Sequence, residues 1–223
     1  MIIAGTVVSG ESEFGECRLA QEVELKLAIA PADWRRFMAQ PLLRDAPRIH
    51  DEMLDTTYFD TPDLDLRGHG VALRVRRIGR RKVQTVKLAA IASGGLSIRP
   101  EWETPYAGRF DFSPVDAPGI REWLERPEIL SRLGPLFQTR FRRRTWRLPL
   151  AAGGEILVAL DRGEILAGGR AAPISEVELE LAGGGGPADL TTLADQLAQR
   201  MSLKPANLSK AQRGYLLLAR SST

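Results

Sequence analysis

Two stretches of the chain place charged residues at every second position. They are residues 21–30, QEVELKLAIA, and residues 174–181, ISEVELEL. The alternating charges are Glu22, Glu24 and Lys26 in the first stretch and Glu176, Glu178 and Glu180 in the second. Carboxylates this close repel one another unless a cation lies between them. Because carboxylate oxygens are the preferred ligands of hard divalent cations, the pattern predicts acidic side chains that face a metal ion such as Mg²⁺, Mn²⁺ or Ca²⁺.

Other segments alternate charged and apolar residues in the same way. The further candidates are Arg74 and Arg76 in VALRVRRI, Lys87 in KVQTVKL, Glu101 and Glu103 around Trp102, and Asp161 at the end of ILVALD. Separated Lys and Arg side chains suit a substrate that carries negative charge along its length, such as a polyphosphate chain. Metal ions neutralise the charge that develops during phosphoryl transfer, and such catalysis often needs no protein nucleophile.

An alternation of period two is typical of a β-strand with one dry face and one polar face. On a single antiparallel strand the polar face usually contacts water. Strands also disfavour Glu, so a repeated row of Glu residues is poorly explained by a solvated face. We therefore predict a barrel whose charged faces line a central tunnel and whose apolar faces point outward beneath helices.

The elements that position these residues are predicted as about eight strands joined mainly by hairpins. The fold class is α+β, an eight-stranded antiparallel β-barrel with a charged interior and helices packed outside. Helices are predicted after Pro31, at 118–131 with an interruption at Pro127, at 188–201, and from Asn207 or Ser209 onward. Pro100 predicts an edge or bulged strand at 96–106. Residues 1–19 are predicted to be an irregular leader, and residues 20–220 one tunnel domain.

Composition excludes several classes of protein and site. The chain has 223 residues and a net charge of +3, and no apolar run approaches the ~20 residues that span a bilayer. Its single cysteine, Cys17, excludes an internal disulfide and fits a cytoplasmic location. Two histidines, His50 and His69, and one cysteine make a zinc site improbable. The four tryptophans are predicted to cover the outer barrel face.

The ordered motifs resemble those of the CYTH superfamily, the triphosphate tunnel metalloenzymes. The matching segments are EVELKL with its ExExK pattern, YFDTPDLDLRGHGVALRVRR, VQTVKL, EWE, RRRTW, VALDRGEI, SEVELEL and LSKAQRGY. Together they extend from about residue 20 to residue 218. The resemblance implies an eight-stranded antiparallel tunnel that binds Mg²⁺ or Mn²⁺.

The resemblance also implies roles for individual residues. Glu22, Glu24, Asp161, Glu176 and Glu178 would hold the metal; Lys26, Arg74, Arg76, Lys87, Arg143 and Lys210 would bind phosphates; Glu22, Glu24 and Lys26 would be catalytic; and Glu101, Glu103 and Glu180 would support them. The parity of the segment TRFRRRTW leaves open whether Arg143 or the set Arg140, Arg142 and Arg144 enters the tunnel. The family places an arginine three residues before the tryptophan, which favours Arg143.

Within the superfamily, the segments are most similar to the CYTH half of bacterial CYTH–CHAD inorganic triphosphatases. The predicted function is metal-dependent hydrolysis of inorganic tripolyphosphate to phosphate and pyrophosphate. Tripolyphosphate or a short polyphosphate is the expected partner, with no nucleic acid or membrane, and a homodimer is possible. The alternatives are a class IV adenylyl cyclase, a thiamine triphosphatase, and a non-catalytic polyphosphate-binding module. Nucleic-acid binding through the basic strands is a further alternative, which the many acidic residues disfavour.

Overall fold

A computed structural model describes residues 18–90 and 92–219 of the chain. Most of the predicted leader lies outside these residues. Arg18 and Leu19, its last two members, belong to the first strand. Among the described residues, no helix has the length and apolar character needed to cross a bilayer.

Eight long antiparallel strands close into a barrel, which confirms the predicted fold class. They are β1 (Arg18–Ile29), β2 (Arg48–Asp60), β3 (Val71–Ile78), β4 (Arg81–Leu88), β5 (Leu96–Pro105), β6 (Gly134–Pro149), β7 (Glu155–Ala167) and β8 (Arg170–Leu181). The order around the barrel is β5-β4-β3-β2-β6-β7-β8-β1, and pairing of β1 with β5 closes it. A short strand, β9 (Leu203–Pro205), adds to β1. Closure leaves no free edge among the long strands.

Seven α-helices connect or cover the strands in the described part of the chain. They are α1 (Trp34–Met38), α2 (Pro41–Arg44), α3 (Asp65–Gly68), α4 (Pro118–Leu124), α5 (Pro127–Leu130), α6 (Pro187–Ala198) and α7 (Lys210–Ala219). The predicted interruption at Pro127 is present. The single helix predicted after Pro31 is instead a 3₁₀ turn followed by α1 and α2. It breaks because Gln40 precedes Pro41 and is extended, as residues before proline prefer.

The prediction for Pro100 was wrong, because β5 is paired on both sides. Pro100 lies opposite Gln21 of β1, and the pairing with β4 begins at the next residue, Glu101. The missing N–H of Pro100 therefore removes no hydrogen bond to β4. Pro100 therefore lies just beyond the end of the β4–β5 ladder and not at an edge of the sheet.

Apolar residues on the outer faces of the strands form the core with the surrounding helices. One cluster joins Leu25 and Leu27 of β1 to Leu190 of α6 and also contains Trp146. A second joins Trp102 of β5 to helices α3 to α5. Trp34 packs against the first cluster and Trp123 against the second. The tryptophans therefore lie where the outer-face prediction placed them.

Helix α7 packs against the inward-facing side of the barrel. Its Ala211 and Tyr215 contact a third apolar cluster, whose strand members include Leu54, Phe137, Phe141, Ile165 and Ile174. Phe141 lies two residues from Arg143 on β6, and Ile174 two residues from Glu176 on β8, so these side chains share the inner face. The charged interior predicted from the alternation therefore occupies only part of the barrel, and α7 fills much of the rest.

Gly163 on β7 is required where two strands approach closely. A Cβ at this position would lie 2.1 Å from the carbonyl oxygen of Arg140 and 2.4 Å from the Cα of Phe141. Because both atoms belong to the backbone of β6, Gly163→Ala is expected to lower the free energy of unfolding by roughly 2 to 3 kcal/mol, measured by urea denaturation. Gly134→Ala, on β6 with nothing within 4 Å of its Cβ, is the control. Equal stability of the two variants would contradict the argument.

Candidate active site

A cavity of about 650 Å³ lies between the inner faces of the strands and the N-terminal end of α7. Its charged lining is Glu22, Glu24, Lys26, Arg67, Arg74, Arg76, Lys87, Arg99, Glu101, Glu103, Arg143, Glu178, Glu180 and Lys210. The structure thus brings together nearly all the site residues predicted from the sequence. Asp161 and Glu176 are the exceptions: they are almost completely buried and do not line the cavity.

The first carboxylate of β1 is neutralised by two cations. Glu22 accepts hydrogen bonds from Lys87 at 2.8 Å and from Arg99 at 2.7 Å. Burial alone would raise the pKa of Glu22, but Lys87 and Arg99 together hold this pKa well below its usual value. Lys87 also lies 2.7 Å from Glu101. Glu22 is therefore held in its charged form by a network of side chains from β1, β4 and β5.

The negative charges of Glu24 and Glu180 are less well compensated by neighbouring cations than the charge of Glu22. They are register partners on β1 and β8, and the Lys26 ammonium lies 3.0 Å from Glu24. Burial raises the pKa of Glu24, and repulsion from Glu178 raises it further. Glu180 forms no ion pair within the described residues, and its pKa is raised to about 7 by burial and by the neighbouring Glu22. Such a pair of acidic side chains favours a bound cation.

Arg74 and Arg76 provide the complementary positive charge. The Arg74 guanidinium lies 3.5 Å from Glu101 and 3.6 Å from Glu103, but its buried Nε has no hydrogen-bond partner among the described residues. Arg76 donates to Thr56 at 3.2 Å and forms no ion pair with any described residue. Burial and repulsion from Arg74 and Arg143 lower the pKa of Arg76 to about 10. Arginines held together without enough carboxylates favour a bound anion.

A third group of charges lies where α7 meets β6, β7 and β8, and its members Arg143, Glu178 and Lys210 also line the cavity. The Lys210 ammonium lies 2.7 Å from Asp161 and 2.8 Å from Glu178, and it also contacts Glu176. Arg143 forms a two-pronged contact with Asp161, at 2.7 and 2.6 Å, and reaches Glu178. These carboxylates outweigh the effect of burial and raise the pKa of Lys210 above its usual value. Both cations therefore remain charged.

The donor atoms of the site fit a hard divalent cation. Oxygens of Asp161, Glu176 and Glu178 lie within 4.8 Å of one another, and the cavity adds Glu22, Glu24 and Glu180. Carboxylate oxygens are the ligand type that Mg²⁺ and Mn²⁺ prefer. Within the described residues, the site contains no histidine or cysteine that would favour a softer metal.

A family model for the CYTH domain matches residues 20–215. The chain belongs to the CYTH domain family. It is 32% identical over 202 residues to an inorganic triphosphatase from Haemophilus influenzae. That match covers 89% of this chain and 55% of the relative, so the chain spans about half the length of this relative.

Solved structures show the same CYTH fold. The Hippeastrum protein HpAC1, described with a dominant triphosphatase activity, superposes with a TM-score of 0.64 at 17% identity, covering 88% of this chain and 96% of that one. The PH1819 protein of Pyrococcus horikoshii superposes with a TM-score of 0.55 at 19% identity, covering 88% and 98%. At these identities the superpositions establish the fold alone.

The register of β6 with β7 decides which arginines of β6 face the inside of the barrel. Arg143 pairs with Asp161 and points into the CYTH barrel. Arg140 and Arg142 point outward with 57% and 53% of their side chains exposed, and they contact Asp55 and Asp51. Arg144 also contacts Asp51. The outward set therefore forms ordinary surface ion pairs.

The sequence analysis missed Arg99, which lines the cavity and contacts Glu22. Its signal was present, because Arg99 has the same parity as Glu101 and Glu103 on β5. The adjacent Pro100 obscured that signal by suggesting an irregular strand. Neither His50 nor His69 lines the cavity, and His69 stacks on Trp123 at 3.9 Å.

The raised pKa of Glu180 predicts a pH-dependent stability of the metal-free protein. Between its usual value of 4.5 and its folded value of about 7, the folded state binds the extra proton. The free energy of unfolding contributed by this group therefore falls as pH rises through that interval. Glu180→Gln removes the effect and is expected to exceed wild type by on the order of 2 kcal/mol at about pH 8, but not at about pH 4. Urea denaturation in EDTA measures this.

The matched control for this experiment is Glu164→Gln, since Glu164 lies on the outer face of β7. It is expected to follow the pH dependence of wild type. Glu24 and Glu101 also have raised pKa values, so only the difference between Glu180→Gln and wild type is assigned to Glu180. A parallel pH dependence of Glu180→Gln and wild type would disprove the assignment.

Proposed function

We propose that this CYTH protein hydrolyses inorganic tripolyphosphate to phosphate and pyrophosphate, with the help of a divalent cation bound by cavity carboxylates. The observation that carries the proposal is the unbalanced charge of one cavity. Within the described residues, Arg76 lacks an anionic partner, the Nε of Arg74 lacks a hydrogen-bond partner, and Glu180 lacks a cationic partner. A linear anion would supply partners for the arginines, and a divalent cation would supply a partner for Glu180.

The residues of the cavity have distinct tasks in this reaction. Arg74, Arg76 and Lys26 would hold phosphoryl oxygens, while Lys87 and Arg99 keep Glu22 charged and oriented. Glu22, Glu24 and Glu180 would hold the cation, which supplies Lewis-acid stabilisation of phosphoryl charge when bound. A water molecule attacks a terminal phosphorus, and pyrophosphate leaves. Positioning and electrostatics are sufficient for such a transfer, so no protein nucleophile is invoked.

The apolar rim of the cavity favours a second candidate, an organic triphosphate. Leu88, Ala89, Ala90, Leu208 and Leu216 line the cavity alongside the charged groups. Leu208 and Leu216 are each 46% exposed. An apolar surface beside a phosphate site suits a nucleoside or thiamine moiety. Thiamine triphosphate and ATP are therefore the necessary comparison substrates.

The deciding experiment compares phosphate release from tripolyphosphate, ATP and thiamine triphosphate with Mg²⁺, Mn²⁺ or EDTA. The proposal expects tripolyphosphate to have the highest kcat/KM and the activity to disappear in EDTA. Faster turnover of thiamine triphosphate, or formation of cyclic AMP from ATP, would overturn the substrate assignment. Binding of polyphosphate without turnover of any substrate would make the protein a binding module.

A further inference from the structure

The carboxylates of Asp161, Glu176 and Glu178 form the most compact acidic cluster in the described part of the chain. Asp161 and Glu176 are 0% and 2% exposed. The cluster has the composition of a divalent cation site, and the sequence analysis assigned all three residues as metal ligands. A cation from the protein itself already lies among them, because Lys210 contacts each of the three.

The charges of the cluster are already balanced. Three carboxylates meet four cations. They are Lys210, Arg143, which contacts Asp161 and Glu178, Arg213, which lies 3.0 Å from Glu176, and Lys26, which lies 3.8 Å from Glu178. An added divalent cation would leave the group with excess positive charge in a buried setting, which is costly. Balanced charge therefore disfavours a metal at this place.

Lys210 is also held by carboxylates of the protein, and it donates a hydrogen bond to Glu178 at 2.8 Å. An ammonium group has three N–H donors, and Lys210 faces three carboxylates with its side chain only 6% exposed. The ring of Phe141 also lies beside Lys210, with its centre 4.8 Å from Nζ. The ammonium is thus directed at carboxylates of the protein, in contrast to Arg76 and the Nε of Arg74, which have no carboxylate partner within the described residues.

We propose that Lys210 is a built-in cation that occupies the Asp161–Glu176–Glu178 cluster in place of a divalent metal, and thereby positions these carboxylates and α7. The inference does not depend on the proposed hydrolysis. It assigns Lys210 a positioning role rather than the phosphate-binding role implied by the family resemblance. It also restricts metal binding to the cavity carboxylates outside this cluster, such as Glu22, Glu24 and Glu180.

Contacts other than Lys210 hold α7 in place. Gly214 packs so closely on the Phe137 ring that a Cβ would lie 2.1 Å from it. Tyr215 donates a hydrogen bond to buried Asp60 at 2.7 Å, and Asp60 also accepts from the backbone N–H groups of Leu66 and Arg67. Replacing Lys210 is therefore expected to open the carboxylate cluster while α7 remains docked.

The test counts Mn²⁺ ions bound per chain by electron paramagnetic resonance, without substrate. Lys210→Met removes the ammonium at similar volume and is expected to bind one Mn²⁺ more than wild type. The added ion should disappear in the Lys210→Met/Asp161→Asn double variant. Lys204→Met, an exposed change on β9 outside the cavity, should bind as wild type does. A merely structural role for Lys210 predicts no gain of a metal ion.

Asp161→Asn in the wild-type background keeps the proposal testable if Lys210→Met does not fold. The proposal expects this variant to bind as many Mn²⁺ ions as wild type. Loss of an ion there, or an unchanged count in folded Lys210→Met, would overturn it. Absence of Mn²⁺ binding by wild type would instead refute the proposed metal-dependent function, and the gain in Lys210→Met would still decide the role of Lys210.

Discussion

Glu24→Gln is expected to reduce kcat/KM for tripolyphosphate by about 100- to 1000-fold, the range seen when one preorganised electrostatic contact is removed. Glu24 is only 4% exposed and lies 3.0 Å from Lys26. The amide keeps the shape of the side chain but removes its negative charge, and with it a ligand of the proposed cation. It also leaves the Lys26 ammonium with one fewer counterion. Phosphate release with saturating Mg²⁺ is the measurement.

The loss of activity must be separated from a loss of fold. Burial and Glu178 raise the pKa of Glu24, so the neutral amide is not expected to destabilise the metal-free protein. Glu24→Gln should therefore unfold in EDTA at a urea concentration no lower than that of wild type. Glu164→Gln, on the outer face of β7, should retain full activity. Activity of Glu24→Gln within threefold of wild type would show that this carboxylate is dispensable.

The composition of the charged cavity followed from the strand periodicity. Residues two positions apart share a face, so Glu22, Glu24 and Lys26 had to point the same way. Hairpin connections predicted antiparallel neighbours, and closure of the barrel places every inner face around one space. Most of the predicted residues therefore lie around one cavity, even though the sequence does not give the register between β1 and β8.

The packing of α7 against the inner face of the barrel could not be predicted from the sequence, although the family resemblance implied that Lys210 at its start reaches the tunnel. Its amphipathic pattern indicates that one face is buried, but not against which side of a sheet. The inward-facing Phe141 and Ile165 that receive α7 are apolar, as residues under an outer helix would be. The balance of charge within the site could not be predicted either, because it depends on which cation contacts which carboxylate in the folded chain. The sequence indicates that Lys210 is a cation of the tunnel, and only the structure shows that it contacts three carboxylates.

Arg76→Gln is expected to lower kcat/KM for tripolyphosphate by about 100-fold, because it removes a cation that has no carboxylate partner within the described residues. Arg76 lines the cavity, and its only described hydrogen bond is to Thr56. Burial and repulsion from Arg74 and Arg143 lower its pKa to about 10, so the guanidinium is held at an electrostatic cost. A bound phosphoryl group would offset that electrostatic cost, which remains in the protein without substrate. Removing Arg76 should thus weaken the substrate complex without destabilising the fold.

Arg142→Gln is the matched control, since it makes the same change on a side chain that is 53% exposed and pairs with Asp51 outside the barrel. A surface pair of this kind contributes little, so its activity and stability should equal those of wild type. Urea denaturation in EDTA should show Arg76→Gln at least as stable as wild type, because relief of the repulsion with Arg74 and Arg143 offsets the lost hydrogen bond. Wild-type activity in both variants would place the phosphate site elsewhere in the cavity. A comparable loss in both would mean that the outer arginines also reach the substrate, which their register opposite β7 does not allow.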